Sequence, residues 1–168
     1  GRTNTLGLIV GDISNPYFAE SAKIIIEKAR QLGYDVIISN TNHDDGNLEE
    51  AIRTLISKRV DGLIISSVYK DNRKVQELYR SGFPVMLFIN RTEQAEENFV
   101  ILDNEKGIRL AVDHLVQLGH RNIAFVANTL KYSSISHRMA GFRAALKEHG
   151  IEIREEFVNH ELFDYDKA

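Results

Sequence analysis

Cysteine is absent from the 168 residues, which excludes disulfides, thiolate metal sites and cysteine nucleophiles together. That absence suits the reducing cytoplasm, where the protein is expected to work. No apolar run approaches the ~18 residues of a membrane span, and the opening residues do not read as a secretory segment. Charge of one sign is not in excess. Lysine plus arginine number 21 against 24 aspartate plus glutamate, a formal net charge of −3, without a basic block. A nucleic-acid surface shows as a clustered Lys/Arg stripe, so this stretch is not expected to bind DNA by itself. Catalytic signatures are missing too. There is no Gly-x-Ser-x-Gly elbow, no Walker loop and no Gly-x-Gly-x-x-Gly after the first strand. Nothing nominates a nucleophile with a base, so catalytic residues, metal ligands and cofactors are all expected to be none.

What the sequence does contain is an alternation of short apolar runs and amphipathic stretches. Leu6–Val10 reads as a strand buried on both faces of a parallel sheet. It stops at Gly11-Asp12, and Asn15-Pro16 opens a helix, with asparagine at the cap and proline at the first helical position. Phe18, Ala22, Ile25, Ala29 and Leu32 recur at helical spacing, and Gly33 ends the helix in the left-handed conformation. Further strands are predicted at Val36–Ser39, Leu63–Ile65, Val85–Ile89 and Phe99–Leu102. A second helix starts from a capping-box-like Asn47 and Glu50, and a third from about Asp71. After Asp103-Asn104 a helix runs to Gly119. Ile123–Ala127 is a strand, Ser136–Glu148 a helix, and Phe157–Leu162 a last short strand.

Strands alternating with helices through short loops imply βαβ units, hence an α/β fold with a mostly parallel, doubly wound sheet. The rhythm falters between Arg91 and Asn104, which places a lobe boundary near Leu102-Asp103. The expected organisation is a linker end at residues 1–5, an N-terminal lobe at 6–102 and a partial C-terminal lobe at 103–168.

Polar residues gather where strands end: Asp12 and Ser14, Asn40 to Asp45, Ser66-Ser67, Asn90-Arg91, Asp103 and Asn128. Open α/β sheets bind ligands at that edge, and Tyr17 and Phe18 stand beside it. Hydroxyls, amides and carboxylates with one apolar face suit a neutral polyhydroxylated or heteroaromatic small molecule. Strand ends also meet polar loops as a rule, so the pattern alone leaves both readings open. Arg138 is equally open: a bidentate ligand contact or a solvated helix arginine. His43-Asp44-Asp45 reads as a solvated loop, since three adjacent residues cannot all converge on a metal. His114 and His120 read as structural.

Five segments, Gly7–Phe18 (GLIVGDISNPYF), Asp61–Ile65 (DGLII), Pro84–Arg91 (PVMLFINR), Asp103–Ala124 (DNEKGIRLAVDHLVQLGHRNIA) and Arg138–Leu146 (RMAGFRAAL), span the chain. Together they resemble the effector-binding core of the lac repressor/gal repressor family of bacterial transcription regulators. The resemblance implies a periplasmic-binding-protein type I-like fold, with a complete first lobe, a partial second lobe and a sugar or purine effector in the cleft between them. It also implies a homodimer, no membrane partner, and a helix-turn-helix headpiece outside this chain that reaches operator DNA. The chain is thus expected to be truncated at both ends. By position, Tyr17 and Phe18 look like the aromatic effector contacts, Asp12 and Ser66 like cleft-lining groups. Asp103 looks like a polar contact and Arg138 like the arginine that clamps the ligand. Two departures are visible: Gly11 stands where many members have proline, and Pro84–Arg91 is one residue longer than usual. The alternative is a periplasmic sugar-binding transport receptor, which shares the fold.

Overall fold

Strand β1 (Thr5–Val10) is apolar along its length because it is covered on both sides. Successive side chains of a strand point to opposite faces. Leu8 and Val10 pack with Phe18 and Ala22 of helix α1 (Pro16–Gln31), while Ile9 joins Leu48, Ile52 and Leu55 of helix α2 (Asp45–Ser57). The computed structural model describes residues 1–93 and 98–160 of the chain. The chain divides into two units, Gly1–Ile101 and Leu102–Ala168.

The first unit is a five-stranded sheet in the order β2-β1-β3-β4-β5, with β2 at Asp35–Asn40, β3 at Gly62–Ile65, β4 at Val85–Phe88 and β5 at Phe99–Val100. Every strand pair among the described residues is parallel. The predicted mostly parallel α/β architecture is therefore what the chain adopts. Gly7 sits opposite Ile37 on one side and Leu63 on the other. A Cβ there would lie 2.9 Å from Leu55 Cδ1 and closer still to Leu63, so the glycine lets α2 settle onto the strand.

Caps fix where the helices begin. Asn15 accepts the Tyr17 N–H with Pro16 at the first helical position, as expected. Gly33 follows the end of α1 at φ +80°. Helix α2 begins earlier than the Asn47/Glu50 pattern predicts. Asp44 is the cap, accepting the Asn47 N–H at 2.8 Å, and the Asn47 amide instead donates to the Thr41 carbonyl at 3.0 Å. A carboxylate on extended backbone is as good a cap as asparagine, and it stands three residues closer to the strand. Helix α3 (Arg73–Arg80) is capped by Asn72.

In the second unit, α4 (Asn104–Gln117) packs along α5 (Ser133–Glu148), beside a two-stranded sheet of β6 (Phe125–Val126) and β7 (Val158–Asn159). Helix α5 starts three residues before the predicted Ser136, and β6 keeps only two of the five residues predicted for it. Of the last predicted strand, Val158–Asn159 forms, while Glu161 and Leu162 lie outside the described residues. Val112, Ile123, Phe125, Met139, Phe142, Ala145 and Leu146 make this unit's core.

The two helices approach closely at Gly141. A Cβ there would lie 2.8 Å from the Glu105 carbonyl oxygen and 2.9 Å from its Cα, backbone atoms that cannot turn aside. Gly141→Ala is expected to lower stability by about 1–3 kcal/mol, the usual cost of overpacking, despite alanine's better helix propensity. Thermal denaturation of the variant checks it. Among the described residues no helix is long and apolar enough to cross a membrane.

Candidate functional site

From β1 the chain crosses to β2 on one side of the sheet and later to β3 on the other. Loops leaving β1 and β3 therefore separate at the carboxyl edge, and this is where a doubly wound sheet has its binding crevice. The loops concerned run over residues 11–15 and 66–72.

The first loop is held by its own hydrogen bonds. The Asp12 carboxylate accepts the Ser14 N–H at 2.9 Å and the Ser14 hydroxyl at 2.7 Å. These bonds hold its pKa below the ordinary carboxylate value. The Ile13 N–H donates to Asn40 Oδ1 at 2.8 Å, and the Asn40 amide donates to Asn42 Oδ1 at 2.7 Å, tying the β1 and β2 loops together.

His43 lies over this junction. Its N–H donates to the Gly11 carbonyl at 3.1 Å, and its Nδ1 is 3.0 Å from the Ser67 hydroxyl at the end of β3. The Phe18 ring stands 5.7 Å away at a 59° tilt. Asn42 and His43 both have left-handed backbone, φ +52° and +59°, a conformation uncommon for residues with a Cβ. A Cβ on Gly11 would overlap the imidazole and lie 2.9 Å from Ser67 Cβ. Burial pushes the imidazole pKa down, opposed by the nearby Asp12 carboxylate. His43 and Asp44 are exposed, as the solvated-loop reading expects, but they are not idle: Asp44 caps α2 and His43 bridges β1 to β3, while Asp45 departs from the loop as the first, half-buried residue of α2. The available signal was Gly11, a glycine at a loop position that the resemblance gives to proline.

The predicted residues of this unit take different stations. Tyr17 is 49% exposed and meets Phe18 edge-on, with ring centroids 5.9 Å apart, whereas Phe18 is buried against Leu8, Val10 and Ala22. Ser66 is 1% exposed, and its hydroxyl donates to the Ile9 carbonyl at 3.2 Å. Asn90 donates to the Ser66 carbonyl at 3.3 Å, and the Arg91 guanidinium lies 4.1 Å from the Phe99 ring centroid. Asp12, Tyr17 and Phe18 thus share one loop–helix junction, and Ser66 is buried just past the end of β3, bonded to β1 through Ile9.

In the second unit, Asp103 caps α4 by accepting the Lys106 N–H at 3.0 Å. Asn104 beside it is buried. Its amide donates to the Leu102 carbonyl at 3.0 Å, and its Oδ1 accepts from Arg138 Nε at 2.8 Å. Asp103 and Arg138 line one open pocket of about 320 Å³ with Asn104, Gly107 and Ile108. Arg138 is thus not a freely solvated helix arginine. Among the described residues no group of three or more His, Cys, Asp or Glu could hold a metal ion.

Comparison with known proteins agrees with this architecture. A family model described as periplasmic binding proteins and sugar binding domain of LacI family matches residues 3–167. The chain is 33% identical over 169 residues to catabolite control protein A of Priestia megaterium, covering 99% of this chain and 51% of that protein. It is 32% identical over 157 residues to the HTH-type transcriptional regulator GalR of Escherichia coli K12, covering 93% and 46%. The solved complex of the transcriptional regulator CelR with cellobiose superposes with a TM-score of 0.85 at 27% identity, over 98% of this chain and 52% of that one. The chain spans about half the length of the curated relatives it matches. With its parallel sheet order, its switch-point crevice and this match over nearly every residue, the chain belongs to the family of periplasmic binding proteins and LacI-family sugar-binding domains.

Proposed function

We propose that this chain is the effector-binding core of a bacterial transcription regulator, sensing a small molecule without transforming it. The observation that carries the reading is the carboxyl edge of the first sheet, where Asp12, Asn40, His43 and Ser67 surround the β1/β3 switch point beside exposed Tyr17. Such an edge offers hydrogen bonds and one aromatic face to a sugar or a purine. Asp12, Tyr17, Phe18 and Ser66 form the first unit's wall, with Phe18 and Ser66 supporting it from within. Asp103 and Arg138 are the contacts proposed for the second unit. In the whole protein, a cytoplasmic homodimer, effector binding shifts the geometry of a DNA-binding headpiece on operator DNA, with a coupling of ~1–3 kcal/mol typical of such switches.

GalR and CelR are named as transcriptional regulators, which favours this reading over a periplasmic transport receptor. A thermal-shift screen of sugars and nucleobases on the full-length protein tests it. Binding to the native state raises the melting temperature, so at least one neutral sugar or purine is expected to do so. A panel without any shift counts against the reading.

A further inference from the structure

We propose that Asp61 anchors the chain entering the first unit, and so sets where a DNA-binding headpiece is held. This role depends on the regulator reading above, with residues 1–5 as the end of the linker from that headpiece.

The two carboxylate oxygens of Asp61 take two successive backbone donors. The Thr3 N–H donates to Oδ1 at 3.0 Å and the Asn4 N–H to Oδ2 at 2.7 Å. The Thr3 hydroxyl donates to the Arg59 carbonyl at 2.6 Å and lies 3.3 Å from Asp61 Oδ1. Backbone bonds close the arrangement on both sides, from the Asp61 N–H to the Thr5 carbonyl at 2.7 Å and from the Asp35 N–H to the Asn4 carbonyl at 2.9 Å. Hydrogen bonds to an ionised carboxylate are the stronger kind. Here they hold the Asp61 carboxyl below its ordinary pKa, the Thr3 N–H above all. The backbone bends to make these contacts: Asn4 and Arg59 are both left-handed, at φ +51° and +58°. Asparagine accepts that conformation readily, whereas Arg59 stands after a helix end, where glycine is usual. Segments flanking a domain are loose unless tied down. This one is tied down two residues ahead of its first strand.

The place of the anchor gives it a consequence. Thr3 and Asn4 precede β1, Asp61 precedes β3, and these strands are parallel neighbours from Leu6–Gly62 to Ile9–Ile65. The anchor therefore lies at their amino ends, while Asp12, Ser66 and Ser67 follow their carboxyl ends, roughly 20 Å of strand away. A headpiece tethered at this end leaves the binding edge clear. Fixing residues 3 and 4 also shortens the flexible tether. Two headpieces on one dimer then meet paired half-sites at a higher effective concentration, which falls as a tether lengthens beyond the span it must bridge.

Limited trypsin digestion and DNA binding of the full-length protein test the anchor together. Arg2 puts a tryptic bond directly before Thr3, and cutting it requires the anchored residues to open. The variants are Asp61→Asn, which loses the charge in nearly the same shape, and Thr3→Val, which loses the hydroxyl alone. The DNA probe is a duplex that the wild-type protein selects from a random-sequence pool. Asp61→Asn is expected to be cut after Arg2 about tenfold faster, the scale of a hydrogen bond to a charged group, since cleavage follows the open population. It is expected to bind the duplex at least about fivefold more weakly, the lower end of coupling between sites, with the melting of the core nearly unchanged. Thr3→Val shifts both in the same direction by less. If Asp61→Asn melts well below the wild type, the exposed Thr3→Val variant decides. Wild-type cleavage in both variants overturns the anchor. Faster cleavage with wild-type DNA affinity overturns its hold on the headpiece and leaves the regulator reading standing. A pool from which no duplex is selected overturns that reading, and the role of Asp61 with it.

Discussion

Replacing Phe142 with alanine is expected to destabilise the protein by about 3–5 kcal/mol, the range for removing a fully buried aromatic side chain. Phe142 is 2% exposed, and its ring centroid lies 5.1 Å from that of Phe125. It joins α5 to β6 in a core that also holds Val112 of α4, Met139 and Leu146. Removing the ring takes away its burial and its aromatic partner, and leaves a cavity that rigid helix backbones cannot close. Gly141 next to it already sets the helices at closest approach. Denaturant unfolding of the intact protein, read with a probe in the second unit, measures the loss. A loss under about 1 kcal/mol, the scale of surface substitutions, contradicts the packing described here.

Arg138→Ala is expected to weaken effector binding in the intact protein by about 1.5–3 kcal/mol, as for losing hydrogen bonds from a charged group. The side chain is preorganised. Arg138 Nε is held by Asn104 Oδ1, and Asn104 is itself buried and anchored to the Leu102 carbonyl. Less ordering is then needed when a ligand arrives. Arg138→Lys keeps the charge but loses the planar fork, so it is expected to recover only part of the affinity. Calorimetry on the three proteins decides it, and equal affinities remove Arg138 from the site.

Much of the architecture was legible because it rests on local rules. The continuous run Leu6–Val10 marked a strand covered on both faces, Asn15-Pro16 marked a helix start, and Gly33 a helix end. What was missed depended on contacts distant in sequence. Asp44 outcompetes Asn47 as a cap because of where β2 delivers the chain. Phe18 and Tyr17, adjacent and both aromatic, are separated by the helix into a buried and an exposed partner. Ser66 and Ser67 are both buried, yet one hydroxyl bonds the Ile9 carbonyl and the other meets His43. His43 itself is 32 residues from Gly11, and only the folded sheet brings its ring over that glycine. The departure from proline at position 11 thereby acquires a physical reason. Neither proline nor any other residue with a Cβ leaves room for the imidazole.

The central claim, that the carboxyl edge of the first sheet meets the effector, is tested most directly by hydrogen–deuterium exchange on the intact protein with and without a ligand found in the thermal screen. Slower exchange is predicted in residues 11–18, 41–48 and 66–72, together with 103–108 in the second unit. Protection confined to other surfaces, such as the opposite ends of the strands, would contradict it.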